Sequence, residues 1–148
     1  MDRGAYVLGA LVCYDVEFPE PARVLATLGC GLIALCNGNM DPYGEVHRRA
    51  IVARAQENQL FVAMADRVGA GRDERFAGGS MVAGPDGVVL AEMAGGEGVL
   101  SVGIDLAEVA ACRRRYNYLE DRRVGLQGGL VRVAGGLCEY GIAAQQAR

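Results

Sequence analysis

The sequence predicts an α/β fold. Short apolar runs of strand length recur through the first half of the chain, and a helical stretch separates each from the next. The chain has 148 residues, 51% apolar and 22% charged, the balance of one globular domain. Neither a separating linker nor an internal repeat divides it.

Tyr6 to Val12 is a continuous apolar run, the pattern of a strand buried on both faces. Pro19-Glu20-Pro21 opens a helix that continues over Ala22 to Leu28, with Gly29 as its stop. Gly31 to Cys36 reads as a second buried strand and Asn37-Gly38-Asn39 as loop. Asp41-Pro42 has the form of a helix N-cap with proline at the first helical position, so a helix is expected from about Tyr43 to Asn58. Leu60 to Ala65 is the third strand. Gly69 to Arg75 reads as a charged loop. Ser80 to Ala83 and Val88 to Ala91 flank Pro85-Asp86-Gly87 as a hairpin. Gly98 to Ile104 reads as another strand, and Asp105 as the cap of a helix from Leu106 to about Arg115. Beyond Arg123 the chain holds six glycines and no clear period. The expected division is a domain over 1–123 and a Gly-rich tail over 124–148.

Composition excludes several chemistries. All 15 basic residues are arginine, so this stretch supplies no Schiff-base or P-loop lysine. One histidine, His47, cannot build a multi-histidine metal centre, and no cofactor is expected. A net charge of −3 without a basic stripe argues against nucleic acid, and no apolar run approaches the roughly 20 residues of a membrane helix. Five cysteines without paired spacing, and no signal peptide, suit a reduced cytoplasmic protein.

Cys13 carries the chemical interest. It follows a strand and precedes a turn and a helix, where the helix dipole favours a thiolate and the next amide, that of Tyr14, can face a developing oxyanion. On spacing alone a buried structural cysteine is the favoured reading, since that is the commoner state of the residue. Asp15 and Glu17 read as capping or elbow-stabilising groups. Asn37, at a strand's C-terminal end, is a candidate substrate contact, with a solvated loop residue as the alternative. His47, between Glu45 and Arg48, reads as a solvated helix residue, and Cys30, Cys36, Cys112 and Cys138 as packing residues.

The residues themselves add more. Gly9 to Glu20, with Val12-Cys13-Tyr14-Asp15 at its centre, closely resembles the nucleophile motif of the nitrilase, or carbon–nitrogen hydrolase, superfamily. Arg54-Ala55-Gln56-Glu57-Asn58-Gln59-Leu60-Phe61-Val62 is similar to its RAxENxxFV segment. Gly79-Ser80 with Pro85-Asp86-Gly87 is similar to its GxSxxxxPxG hairpin, and Tyr118 to Arg123 to its YLxDRR close. The resemblance runs from about Arg3 to Arg123. It implies part of a four-layer α-β-β-α sandwich whose N-terminal half is missing. It also implies a Glu–Lys–Cys triad cleaving small amides or nitriles through a thioester. Cys13 would be the nucleophile and Tyr14 a backbone oxyanion contact. Arg54, Glu57 and Asn58 would be polar structural support. The family's catalytic glutamate and lysine precede the cysteine. Only twelve residues precede Cys13 here, and none is Glu or Lys. The expectation is an amidase-like hydrolase of small aliphatic amides, inactive alone. The alternative is a relic or a subunit of a split enzyme. A homo-oligomer or an N-terminal partner fragment is the expected partner.

Overall fold

A computed structural model describes residues 7–123 and the backbone of 126–132 and 138–144. Five strands form one mixed sheet: β1 (Val7–Val12), β2 (Cys30–Asn37), β3 (Phe61–Asp66), β6 (Met81–Ala83) and β7 (Val89–Glu92), side by side in that order. The first three are parallel; β6 and β7 join antiparallel. The parallel crossovers are α1 (Pro19–Thr27) and α2 (Gly44–Asn58). A small hairpin, β4 (Val68–Ala70) with β5 (Arg75–Ala77), stands apart from the sheet. Helices α3 (Ala107–Arg115) and α4 (Tyr118–Asp121) follow. The segment read from sequence as a patternless tail contains a seven-residue hairpin pair, β8 (Leu126–Arg132) and β9 (Cys138–Ala144).

The main core lies on the helix-bearing face of the sheet. Leu11, Ile33, Leu35, Val62, Met64, Met81 and Ala83 alternate inward and meet Ala22 and Ala26 of α1 and Ile51 and Ala55 of α2. Close approach of α1 requires glycine at position 9. A Cβ there would come within 2.9 Å of both Cys30 Sγ and a Leu25 methyl.

Among the described residues the opposite face is only partly covered: Phe61, at the start of β3, is fully buried there, while β1 and the far ends of β2 and β3 are exposed. Leu8, Ala10 and Val12 on β1, Cys36 on β2 and Ala65 on β3 are exposed, and in-register pairing puts them on one surface. This corrects the reading of β1 as buried on both faces: an apolar run satisfies that pattern only when layers cover both sides. It also corrects Cys36, which is exposed rather than packed.

Three element assignments and the burial of one residue also differ from the sequence reading. Gly98–Ile104 alternates like a strand but lies in no sheet of the described residues, so its backbone is not a ladder element. Asp41-Pro42, joined by a cis peptide, precedes α2 rather than capping it; the N-cap is Tyr43. The charged loop after β3 is largely the β4–β5 hairpin. His47 is 2% exposed, not solvated. Among the described residues no helix is long and apolar enough to cross a membrane.

Candidate functional site

Cys13 opens a tight 3-10 turn, Cys13–Glu17, at the C-terminal end of β1. Its φ is +47°, in the left-handed region that a non-glycine residue enters only when its surroundings impose it. Two contacts impose it. The Asp15 carboxylate accepts from the Val12 amide at 3.0 Å, closing the turn onto the strand. On the far side, Arg54 of α2 donates from Nε to the Val16 carbonyl at 3.1 Å and from Nη2 to the Glu17 carbonyl at 2.8 Å. Its third edge pairs with Glu57 at 2.8 Å. The planar guanidinium fork fits two adjacent carbonyls in a way that no other side chain does. The turn therefore hangs between its own strand and the long helix.

Tyr14 follows Cys13 and is 62% exposed, its ring edge-on to Phe18 at 4.9 Å. Its amide lies in the first positions of the turn, where N–H groups have no partner within the turn itself. Asn58 is fully buried; its side-chain amide donates to the Arg54 carbonyl at 2.9 Å, and its backbone carbonyl accepts from Arg113 at 3.2 Å. Arg54, Glu57 and Asn58 thus form one polar cluster behind the turn.

Register brings a second group to the same strand ends. Val12 pairs with Cys36, and Asn37 with Asp66, so Asn37 stands on β2 one step beyond the end of β1. Its carboxamide is occupied inside the protein. Oδ1 lies 2.9 Å from His47 Nδ1, and Nδ2 donates toward Met64 Sδ at 3.3 Å. The other ring nitrogen of His47, Nε2, lies 2.8 Å from Glu17 Oε1. Burial pushes the Asp66 carboxyl above its ordinary range; the Asn39 amide, Asn37 and the charge of His47 pull the other way. Burial likewise raises the Cys30 thiol.

His47 is a buried polar residue of this cluster that sequence reading missed. The signal was present: His47, Ile51, Ala55 and Asn58 fall at helical spacing and are the four buried residues of α2. Gln59 was missed too. It is fully buried in the left-handed conformation after α2, donates to the Tyr116 carbonyl at 2.7 Å and accepts from the Tyr118 amide at 3.1 Å.

Four surface clefts of about 250, 410, 310 and 270 Å³ are lined by other residues, and Cys13 lines none of the four. Among the described residues no group of three or more His, Cys, Asp or Glu is arranged to hold a metal ion.

The model of the carbon–nitrogen hydrolase family matches residues 1–114. An (R)-stereoselective amidase of a Pseudomonas species is 52% identical over 97% of this chain and 53% of its own length. A 2-oxoglutaramate amidase of Bacillus subtilis is 37% identical over 78% of this chain and 45% of its own. Among solved structures, a carbon–nitrogen hydrolase from Helicobacter pylori aligns with a TM-score of 0.75 at 27% identity, covering 82% of this chain and 47% of that one. A mutant of an amidase from Nesterenkonia, with an acetamide moiety joined covalently to its active-site cysteine, aligns with a TM-score of 0.69 at 37% identity. It covers 78% of this chain and 41% of its own. The chain thus spans about half the length of the curated relatives it matches.

Proposed function

This chain belongs to the carbon–nitrogen hydrolase family, and on that premise we propose that it carries the cysteine half of an amide-hydrolysing site, with Cys13 as nucleophile. The observation that carries this reading is the elbow. A non-glycine residue at φ +47° is held at a strand end by Asp15 from one side and Arg54 from the other, as a side chain that must be presented in a fixed direction requires. The amidase relatives, and the cysteine adduct in the Nesterenkonia amidase, support the choice of residue and of substrate class.

In this reading the Cys13 thiolate attacks the carbonyl carbon of a small aliphatic amide. The carbonyl electron pair moves to oxygen, where the Tyr14 amide donates to it. Collapse expels the amine, which takes up a proton, and leaves a thioester on Cys13. Water then attacks the thioester, releasing the acid and the thiol. A general base and a cationic partner for the oxyanion are needed. These 148 residues contain no lysine, and no glutamate before Cys13. The reading therefore takes both groups from a segment outside this sequence, in the same longer chain or a partner fragment. That segment would also supply the layer over the exposed part of the sheet's opposite face. Asn37 enters as a positioning group at the strand ends, because its amide is already engaged. The hydrolase portion ends near Arg123, and 124–148 is an appendage to it.

Limiting iodoacetamide followed by mass spectrometry tests the nucleophile. Cys13 is expected to be alkylated ahead of Cys36, although Cys36 is the more exposed thiol, and well ahead of buried Cys30. Labelling that follows exposure alone, Cys36 first, would reject the assignment.

A further inference from the structure

Counting donors around His47 leads to a charge. Its two ring nitrogens each face an acceptor. The Asn37 amide is oriented by its Nδ2, which lies 3.3 Å from Met64 Sδ, an atom that can only accept, and so carries the hydrogens. Its oxygen therefore faces His47 Nδ1 at 2.9 Å and can only accept. Glu17, 31% exposed, presents a carboxylate oxygen to Nε2 at 2.8 Å, and an ionised carboxylate only accepts. A neutral imidazole has one N–H and would leave one of these short contacts as two opposed lone pairs. At 2% exposure no bulk water relieves that mismatch.

We propose that His47 is held as an imidazolium that donates to both Asn37 and Glu17, and that it is a positioning residue supplying positive charge beneath the turn that carries Cys13. The functional half of this inference rests on the reading of Cys13 as nucleophile; the protonation half does not. The charged groups around His47 are Glu17 from the turn and Asp66 from β3, with Glu45 and Arg48 on its own helix. Arg48 is turned outward to Glu92 at 2.8 Å. Negative groups thus dominate the contacts to the ring. The proton on His47 lets the Glu17 carboxylate sit four residues from a thiolate without opposing it. The chain of contacts also ties the turn, β2 and β3 into one unit: Glu17, His47, Asn37, Met64.

One measurement needs no variant. His47 is the single histidine, so imidazole ¹⁵N signals of the labelled full chain belong to it without assignment. At pH 7.5 both ring nitrogens are expected in the protonated range. In Glu17→Gln one of them is expected to lose its proton at the same pH. A wild-type spectrum with one unprotonated nitrogen would overturn the proposal. The second readout is the pH profile of Cys13 alkylation in wild type and His47→Gln, which retains a donor toward Glu17. The variant's midpoint is expected at higher pH, with the rate at pH 7 down roughly three- to tenfold. A doubly protonated His47 with identical Cys13 profiles would remove its link to the thiol. Preferential labelling of Cys36 in wild type, with His47 doubly protonated, would instead reject the nucleophile and leave the charge assignment standing.

Discussion

Arg54 holds the backbone carbonyl of Glu17 at 2.8 Å, and this bond fixes the far end of the turn that begins with Cys13. The same guanidinium also takes the Val16 carbonyl and the Glu57 carboxylate. Its side chain is 11% exposed, so water replaces these partners poorly. Arg54→Ala leaves two carbonyls without their donor and is expected to cost about 2 to 4 kcal/mol in urea unfolding. Arg54→Lys keeps the charge but cannot fork between two carbonyls, and should recover about half of that loss. In both variants Cys13 should lose its lead in alkylation. Wild-type stability in Arg54→Ala would show that the turn stands without the clamp.

Gln59 makes a different kind of prediction, because its backbone and its side chain pull in opposite directions. At φ +51° a non-glycine residue is strained, yet the side chain bonds the Tyr116 carbonyl and the Tyr118 amide, anchoring the segment after α3. Gln59→Ala keeps the strain and loses the bonds; about 2 kcal/mol should be lost. Gln59→Gly loses the same bonds but relieves the strain, so it should be the more stable of the two by about 0.5 to 1 kcal/mol. Thermal or urea unfolding of the pair decides it: an alanine variant as stable as the glycine one would mean that the backbone is not strained.

These two anchors also mark what could be read from the sequence. The elbow was legible because it is local: an apolar run, a cysteine, a turn and Pro19 lie within about a dozen residues, and the RAxEN-like segment marks its clamp. Gln59 carries no local signal, since its partners Tyr116 and Tyr118 are 57 and 59 residues away in the chain. His47 was masked by its charged neighbours, although its spacing to Ile51 and Ala55 places it on the buried stripe. Gly98–Ile104 shows the limit of periodicity: alternation describes a chain able to pair, and pairing needs a neighbour. The exposure of Leu8, Val12 and Cys36 has the same origin, for an apolar run does not say which layers are present to cover it.

Asp66 predicts a pH dependence whose sign follows from burial. Its folded carboxyl titrates above its ordinary value. From about pH 4 upward the unfolded chain has released this proton while the folded chain still holds it. The unfolded state then binds fewer protons, so this group's contribution to stability declines as pH rises through the folded value and is constant above it. Asp66→Asn keeps an acceptor for the Asn39 amide, which donates at 3.1 Å in the wild type, and removes the titration. Relative to wild type, the variant should therefore gain stability in urea unfolding as pH rises from about 4 through the folded value of Asp66, and gain no more above it. A difference that is flat with pH, or that runs the other way, would contradict the burial argument.

The exposed part of the sheet's opposite face predicts association. Leu8 is 65% and Val12 64% exposed, and Ala10, Cys36 and Ala65 extend the same apolar surface across three strands. Apolar surface left in contact with water favours burial against another surface, and patches beyond a few hundred Å² are uncommon on soluble monomers. Among the described residues β1 is moreover the end strand of the sheet order, with no strand paired to its outer edge. The 148-residue chain is therefore expected to self-associate at tens of micromolar in analytical ultracentrifugation. Leu8→Glu should reduce that association without unfolding the chain, since Leu8 contributes nothing to the core on the helix side. Co-expression with an N-terminal fragment of a family relative that carries the glutamate and lysine should do more. It should raise solubility and yield amide hydrolysis that Cys13→Ala abolishes, whereas the isolated chain should show negligible turnover. A stable monomer whose association is unchanged by Leu8→Glu would mean that this face is already covered, and the two-part reading of the site would lose its physical basis.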